Sequence, residues 1–243
     1  MIFDNPQLRP RAREAGIVIG DLPTGALNAI TDVPGIRCRS CVLDRGRRSV
    51  AHRPGTGAHE YHRIETPIAL TNTLSVGSVY EGIVQYMVDD VFRSLGHVPW
   101  FNPVVGETSD AFLNDIVGER GGTSIMIIFA TDLPLSGGDL DRVAKRATFG
   151  LARTGSNGGH GSGDYVIGFS TTWRQPDRKK LIRSAMRDNE SLIDKPFVAI
   201  AEATEEAILN SLFKATTIVG RDGHVRQAMP VDEVLQRWRV AKG

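Results

Sequence analysis

The sequence predicts a layered fold of the α/β or α+β class, in which helices alternate with covered β-strands. Two apolar runs without polar alternation, Ser124–Thr131 and Tyr165–Thr171, have the pattern of strands covered on both faces. Between them Leu140, Val143, Ala144, Ala147 and Leu151 recur at the spacing of one helix face. The 26 glycines among 243 residues point to many tight turns and close backbone approaches, which a plain helical bundle does not need.

In chain order, Leu27–Val42 reads as a turn, a short strand and a second turn around Pro34-Gly35. Arg45–His62 reads as loop, and Ile68–Thr71 as a short strand. Val76, Val79, Ile83, Tyr86 and Met87 then predict a helix starting from a cap at Ser75. Pro99–Glu107 is extended and broken by proline, and the covered strand beginning at Ser124 follows. The next helix covers Asp139–Arg153 and is ended by Thr154-Gly155 and the glycine-rich loop 156–163. After the strand Tyr165–Thr171, a third covered strand is predicted at Phe197–Ala201. Ala203, Ala207, Ile208 and Leu212 predict a helix, and Val231, Val234, Leu235 and Trp238 the last one. No repeat, linker or low-complexity tract divides the chain, so a single domain over 1–243 is expected.

Composition excludes several classes of function. With 29 Lys+Arg against 28 Asp+Glu, the net charge of +1 provides no footprint for DNA or RNA, whose binding rests on clustered cations. No apolar stretch approaches the roughly 20 residues of a membrane span. The opening MIFDNPQLRPRAREAG lacks the apolar core of a secretion signal. A soluble cytoplasmic protein is the expectation. Two cysteines make no disulfide framework, and a chain of this length can bury a core without one.

Several motifs invite chemistry and are better read as structure. Cys38 and Cys41 form a CxxC that supplies at most half a zinc site, so they read as small side chains on a strand. His52, His59, His62 and His160 lie on glycine- and proline-flanked loops without a carboxylate at helical spacing, so they read as solvated. The glycine loop lacks the Lys-Ser/Thr of a phosphate-binding loop and opens a strand, so it reads as a turn.

A serine constellation remains. Ser124 begins one covered strand, while Ser162 and Asp164 close the glycine loop and begin another. If the strands are neighbours, all three side chains could meet at one sheet edge. A serine hydroxyl needs a base, and an α-amine, with a pKa of about 8, could serve. That amine exists on Ser124 only if the Thr123–Ser124 bond is cut. Taken on spacing alone, two strand-start serines capping turns remain the simpler reading.

Longer stretches carry a resemblance. Leu27–Ile36, Thr66–Gly77, Pro103–Glu107, Leu113–Asp115 and nearly all of Ser124–Gln236 resemble, in family order, the self-processing aminopeptidases of the DmpA type. These are L-aminopeptidase/D-amidase-esterases and β-aminopeptidases. The resemblance implies a four-layer αββα sandwich, of the kind shared with ornithine acetyltransferases and similar to N-terminal-nucleophile hydrolases. It implies self-cleavage into 1–123 and 124–243, with Ser124 as nucleophile and its own amine as base. Ser162 and Asp164 would hold the proton network, and Glu107 would anchor the substrate ammonium, although a surface or ion-paired glutamate is the plainer reading of that residue. The implied substrates are small peptides, amino acid amides or esters. The implied assembly is a homotetramer, and no metal or organic cofactor is required.

The departures from the family are specific. Phe112 replaces a tyrosine whose hydroxyl lies near the developing oxyanion, Asp164 replaces the glutamate of the β-aminopeptidases, and Thr123 stands where Gly or Asn is usual. Ile116–Thr123 takes the place of a long segment that carries an oxyanion-hole asparagine, and Arg45–His62 is also short. Loss of one oxyanion donor costs about a hundred- to a thousand-fold in turnover. Excision of such a segment from a packed sandwich would expose core and sheet edges, so the intact protein is expected to carry further residues there. Two rivals follow: a truncated, non-catalytic assembly subunit, and an acyltransferase of the ornithine acetyltransferase kind, which uses threonine as nucleophile.

Overall fold

The computed structural model describes residues 8–38, 64–108, 124–160, 162–172 and 191–242. They fall into two units: residues 1–36, 127–159 and 166–243 in the first, and 37–126 with 160–165 in the second.

In the first unit, strands β3 (Met126–Thr131) and β4 (Tyr165–Ser170) pair, and their first residues belong to the second unit. Backbone hydrogen bonds from Tyr165 N–H to Ile125 C=O and from Thr171 N–H to Thr131 C=O advance in the same sense along both strands, so the pair is parallel. The connection between them is helix α2 (Gly137–Arg153), capped by Ser136, whose hydroxyl accepts the N–H of Asp139. Helix α3 (Ser191–Lys214) packs on α2, and Phe129, Leu135, Val143, Ala147, Ile193 and Ile200 form one buried cluster. The guanidinium of Arg146 sits 4.0 Å from the centre of the Phe197 ring, which adds a cation–π contact to that packing.

Two glycines allow close approach in this unit. A Cβ on Gly168 would fall 2.1 Å from the Phe129 ring, so the sheet needs hydrogen there. A Cβ on Gly150 of α2 would fall 2.2 Å from the Ala201 carbonyl oxygen of α3. Gly150→Ala should therefore cost about 1–3 kcal/mol by forcing the helices apart, and urea unfolding would show it as a lower midpoint.

Residues 8–28 are tied to α3 by buried polar groups. Arg9 donates to the carbonyls of Phe213 and Met229, both at 2.7 Å, beside helix α4 (Val231–Lys242). Arg13 pairs with Glu206 at 2.7 Å, and Glu202 accepts the N–H groups of Asp21 and Leu22. Both glutamates are buried because their oxygens are satisfied in this way.

In the second unit, β1 (Ile68–Thr71) and β2 (Val104–Glu107) are parallel, in register from Ile68 beside Val104 to Thr71 beside Glu107. Helix α1 (Val76–Tyr86) crosses between them and buries Val76 and Ile83, with Met87 beyond its end, in a cluster with Val105. The chain continues through a wide π-type turn at Met87–Val91. Short β5 (Ile218–Val219) and β6 (Val225–Arg226), in the first unit, form an antiparallel ladder that the sequence does not announce.

The structure corrects five expectations. Phe197–Ala201 is not a strand but the middle of α3, because Ile193, Phe197 and Ile200 continue a helical stripe onto the α2 cluster. The buried face of α3 is also displaced, since Ala203 and Ala207 are exposed while Glu202, Thr204 and Glu206 are buried. The described part of Leu27–Val42 contains a single 3-10 turn at Ile30–Asp32 rather than a strand. There Asp32 accepts the N–H groups of Ala29 and Leu27, which hold its carboxyl below the usual carboxylate range. Cys38 is exposed on a loop, not packed on a strand, and Cys41 lies outside the described residues. Ser75 precedes α1 as expected, but its buried side chain makes no cap; a 3-10 turn, Thr73–Ser75, leads into the helix instead. No described helix is long and apolar enough to cross a membrane.

Candidate active site

The start of the β3–β4 ladder is where main-chain pairing gives way to side chains. The first main-chain rung is Tyr165 N–H to Ile125 C=O, at 3.0 Å. Before it, the N–H of Gly163 donates to Ser124 Oγ at 2.8 Å, and the N–H of Ile125 donates to Asp164 Oδ1 at 3.0 Å. The same Asp164 oxygen accepts the hydroxyl of Ser162, at 2.8 Å. The three residues singled out from the sequence therefore meet, as neighbouring strands require.

Their environments differ. Ser124 is exposed, whereas Ser162 and Asp164 are half-buried. An N–H aimed at a hydroxyl oxygen, as Gly163 N–H is at Ser124 Oγ, is an arrangement that would stabilise negative charge there. Asp164 fixes two things together: the backbone beside Ser124 and the Ser162 hydroxyl. Gly163 is a candidate position that sequence reasoning passed over, having read the glycine loop only as a turn. The available signal was its place between two polar residues at a strand start.

Glu107 ends β2, is exposed and stands opposite Thr71. Its predecessor, Gly106, lies against the first residue of β3, since a Cβ there would fall 3.0 Å from Met126 Cε. The end of β2 thus comes to the strand that starts two residues after Ser124. His160 is exposed on the glycine loop. Thr123, Phe112, His52, His59, His62 and the short stretches 45–62 and 116–123 lie outside the described residues. Among the described residues, no group of three or more His, Cys, Asp or Glu could hold a metal ion.

Comparison with known proteins matches the family model of peptidase family S58 to residues 52–122 and 118–226. The chain belongs to peptidase family S58. It is a hydrolase, an aminopeptidase of that family, and the resemblance read from its sequence is borne out. A β-peptidyl aminopeptidase of Sphingosinicella microcystinivorans is 26% identical, over 95% of this chain and 93% of the relative. That alignment runs over 373 positions against 243 residues here, so at least 130 positions of the relative have no counterpart in this sequence. The two family matches overlap at residues 118–122, which is where the sequence comparison expects the interruption.

Solved structures agree on the fold. A Pyrococcus horikoshii OT3 protein superposes with a TM-score of 0.76 at 28% identity, over 96% of this chain and 99% of that one. A Burkholderia β-aminopeptidase superposes at 0.75 with 25% identity, over 95% and 99%. The L-aminopeptidase D-Ala-esterase/amidase of Ochrobactrum anthropi, described as a variant of the Ntn hydrolase fold, gives 0.74 at 23% identity over 96% and 99%. This S58 chain therefore has the mixed α/β fold of these solved structures.

Proposed function

We propose that this S58 peptidase activates itself at Thr123–Ser124 and then acts as an aminopeptidase and amidase-esterase through the new N-terminal serine. The observation that carries the proposal is the bonding of Ser124 Oγ and its strand to the segment 162–164, which is 38 residues further along the chain. In the first event Ser124 Oγ attacks the Thr123 carbonyl, the C–N bond breaks, and the nitrogen takes the hydroxyl's proton. Water hydrolyses the resulting ester, leaving a carboxylate on Thr123 and a free amine on Ser124.

Each later turnover uses that amine as base. It takes the Oγ proton while Oγ attacks the substrate carbonyl, and it returns the proton to the departing amine or alcohol. Water then releases the N-terminal amino acid by the same proton path. Asp164 and Ser162 hold the strand start and stabilise the ammonium that forms. Glu107 would receive the substrate's own ammonium, by charge-assisted hydrogen bonding. Small peptides, amino acid amides and esters are the substrates this reading assigns, and the processed units assemble as a homotetramer of one domain each. Family resemblance is the support for those last two points.

Denaturing electrophoresis tests the processing step. Purified protein should give two similar bands for 1–123 and 124–243, whereas a single full-length band after long incubation counts against the proposal. A second reading, a non-catalytic assembly subunit, draws its support from the 130 or more positions absent relative to the β-peptidyl aminopeptidase.

A further inference from the structure

The face of the sheet that carries Ser124 also carries apolar side chains that the mechanism does not use. The rung from Tyr165 N–H to Ile125 C=O, in a parallel pair, sets Tyr165 beside Met126 and Gly163 beside Ser124. The same register sets Gly168 beside Phe129, as their close approach confirms. Residues two apart on a strand share a face, so Ser124 and Met126 on β3 and Gly163 and Tyr165 on β4 all look the same way.

Gly163 stands in the middle of this group. A Cβ there would lie 3.4 Å from Ser124 Oγ and 3.4 Å from Tyr165 Cε2, so the ring edge and the hydroxyl stand within about 7 Å of each other across a missing side chain. The Tyr165 ring is 58% exposed, too much for a core role. On the other side, Met126 and the exposed Leu70 both come to Gly106, where a Cβ would fall 3.0 and 2.6 Å from them. Ser124, Tyr165 and Met126 thus border one strip at the start of the ladder, and Met126 reaches on to the exposed Leu70 at Gly106.

We infer that Tyr165, with Met126 beside it, forms the wall that receives the side chain of the N-terminal residue being released, and that this wall selects apolar and aromatic side chains. The inference rests on the proposed function, because it takes Ser124 as the nucleophile. With the carbonyl carbon at Ser124, a substituent on the face that Ser124 shares with Met126 and Tyr165 lies over Met126 and the tyrosine ring. An apolar substituent there removes exposed hydrocarbon from water on both sides, whereas glycine leaves the strip wet. The discrimination such a wall provides is that of an ordinary hydrophobic pocket, about 10- to 200-fold.

The test measures kcat and KM for the p-nitroanilides of phenylalanine, leucine and glycine with the processed full chain. In the parent enzyme the phenylalanine and leucine anilides should exceed the glycine anilide in kcat/KM. Tyr165→Ala should lower that ratio about tenfold, chiefly by raising KM for the larger substrates. Tyr165→Phe should retain the ratio, since the ring and not its hydroxyl makes the wall. Hydrolysis of all three anilides with a ratio indifferent to Tyr165→Ala would overturn the inference and leave the serine mechanism standing. So would an equal fall in Tyr165→Phe, which would transfer the effect to the hydroxyl. If the parent hydrolyses none of the anilides, the inference falls together with the proposed function.

Discussion

Ser124→Ala should leave the chain uncut and reduce amide and ester hydrolysis by at least about a thousand-fold, down to the background that positioning alone provides. The substitution removes the only atom that the proposal asks to form a bond, both in self-cleavage and in turnover. Its structural cost is small, because Ser124 is exposed and its hydroxyl accepts a single described hydrogen bond, from Gly163. Loss of function without loss of fold is therefore the expected result. It is measured as one band on a denaturing gel, a flat p-nitroanilide progress curve and an unchanged circular dichroism spectrum. A variant that hydrolyses substrate like its parent would remove Ser124 from the chemistry.

Asp164 should produce the second largest effect, and its three replacements separate what the carboxylate does. Oδ1 takes both the Ile125 N–H and the Ser162 hydroxyl. Alanine leaves a half-buried N–H without its acceptor and frees Ser162, so turnover should fall about a thousand-fold and self-cleavage should slow. Asparagine keeps a carbonyl oxygen for Ile125 but no negative charge for the ammonium of Ser124, so the fall should be about ten- to a hundred-fold. Glutamate keeps the charge with one more methylene and should retain most activity. These differences should appear in kcat, with KM nearly constant, because the carboxylate is read as acting on the nucleophile and not on the substrate. Asparagine and alanine variants of equal activity would show that charge plays no part.

Much of the fold was legible where side chains repeat against one partner. Val76, Ile83 and Met87 announce α1, and Val143 and Ala147 announce α2, because each stripe faces a core of its own. The helix α3 was obscured by its composition. Pro196 and the apolar run from Phe197 to Ala201 look locally like a breaker followed by a strand, and only the longer spacing from Ile193 to Ile200 shows the helix. Its buried Glu202 and Glu206 could not be anticipated from spacing, since their partners are the backbone of Asp21 and Leu22 and the side chain of Arg13, almost two hundred residues away.

The serine cluster was legible as a possibility and no more. Ser124, Ser162 and Asp164 each stand at a strand start, but their meeting depends on β3 and β4 being neighbours, which no local pattern states. Gly163 and Ile125 contribute through main-chain N–H groups, and such donors leave no mark on residue type beyond the glycine itself. Tyr165 was hidden for a similar reason: as the first residue of an apolar run it counts as core, and only its exposure beside Gly163 and Ser124 sets it apart.

Edman degradation or mass spectrometry of the purified, fully assembled protein tests the account most directly, because a new chain start records the bond cleavage that everything else requires. An N-terminus reading Ser-Ile-Met-Ile, in equal amount with the upstream fragment, is the predicted result. An intact junction between Thr123 and Ser124 in material that hydrolyses amino acid anilides would contradict it, since no free amine would then stand beside the hydroxyl.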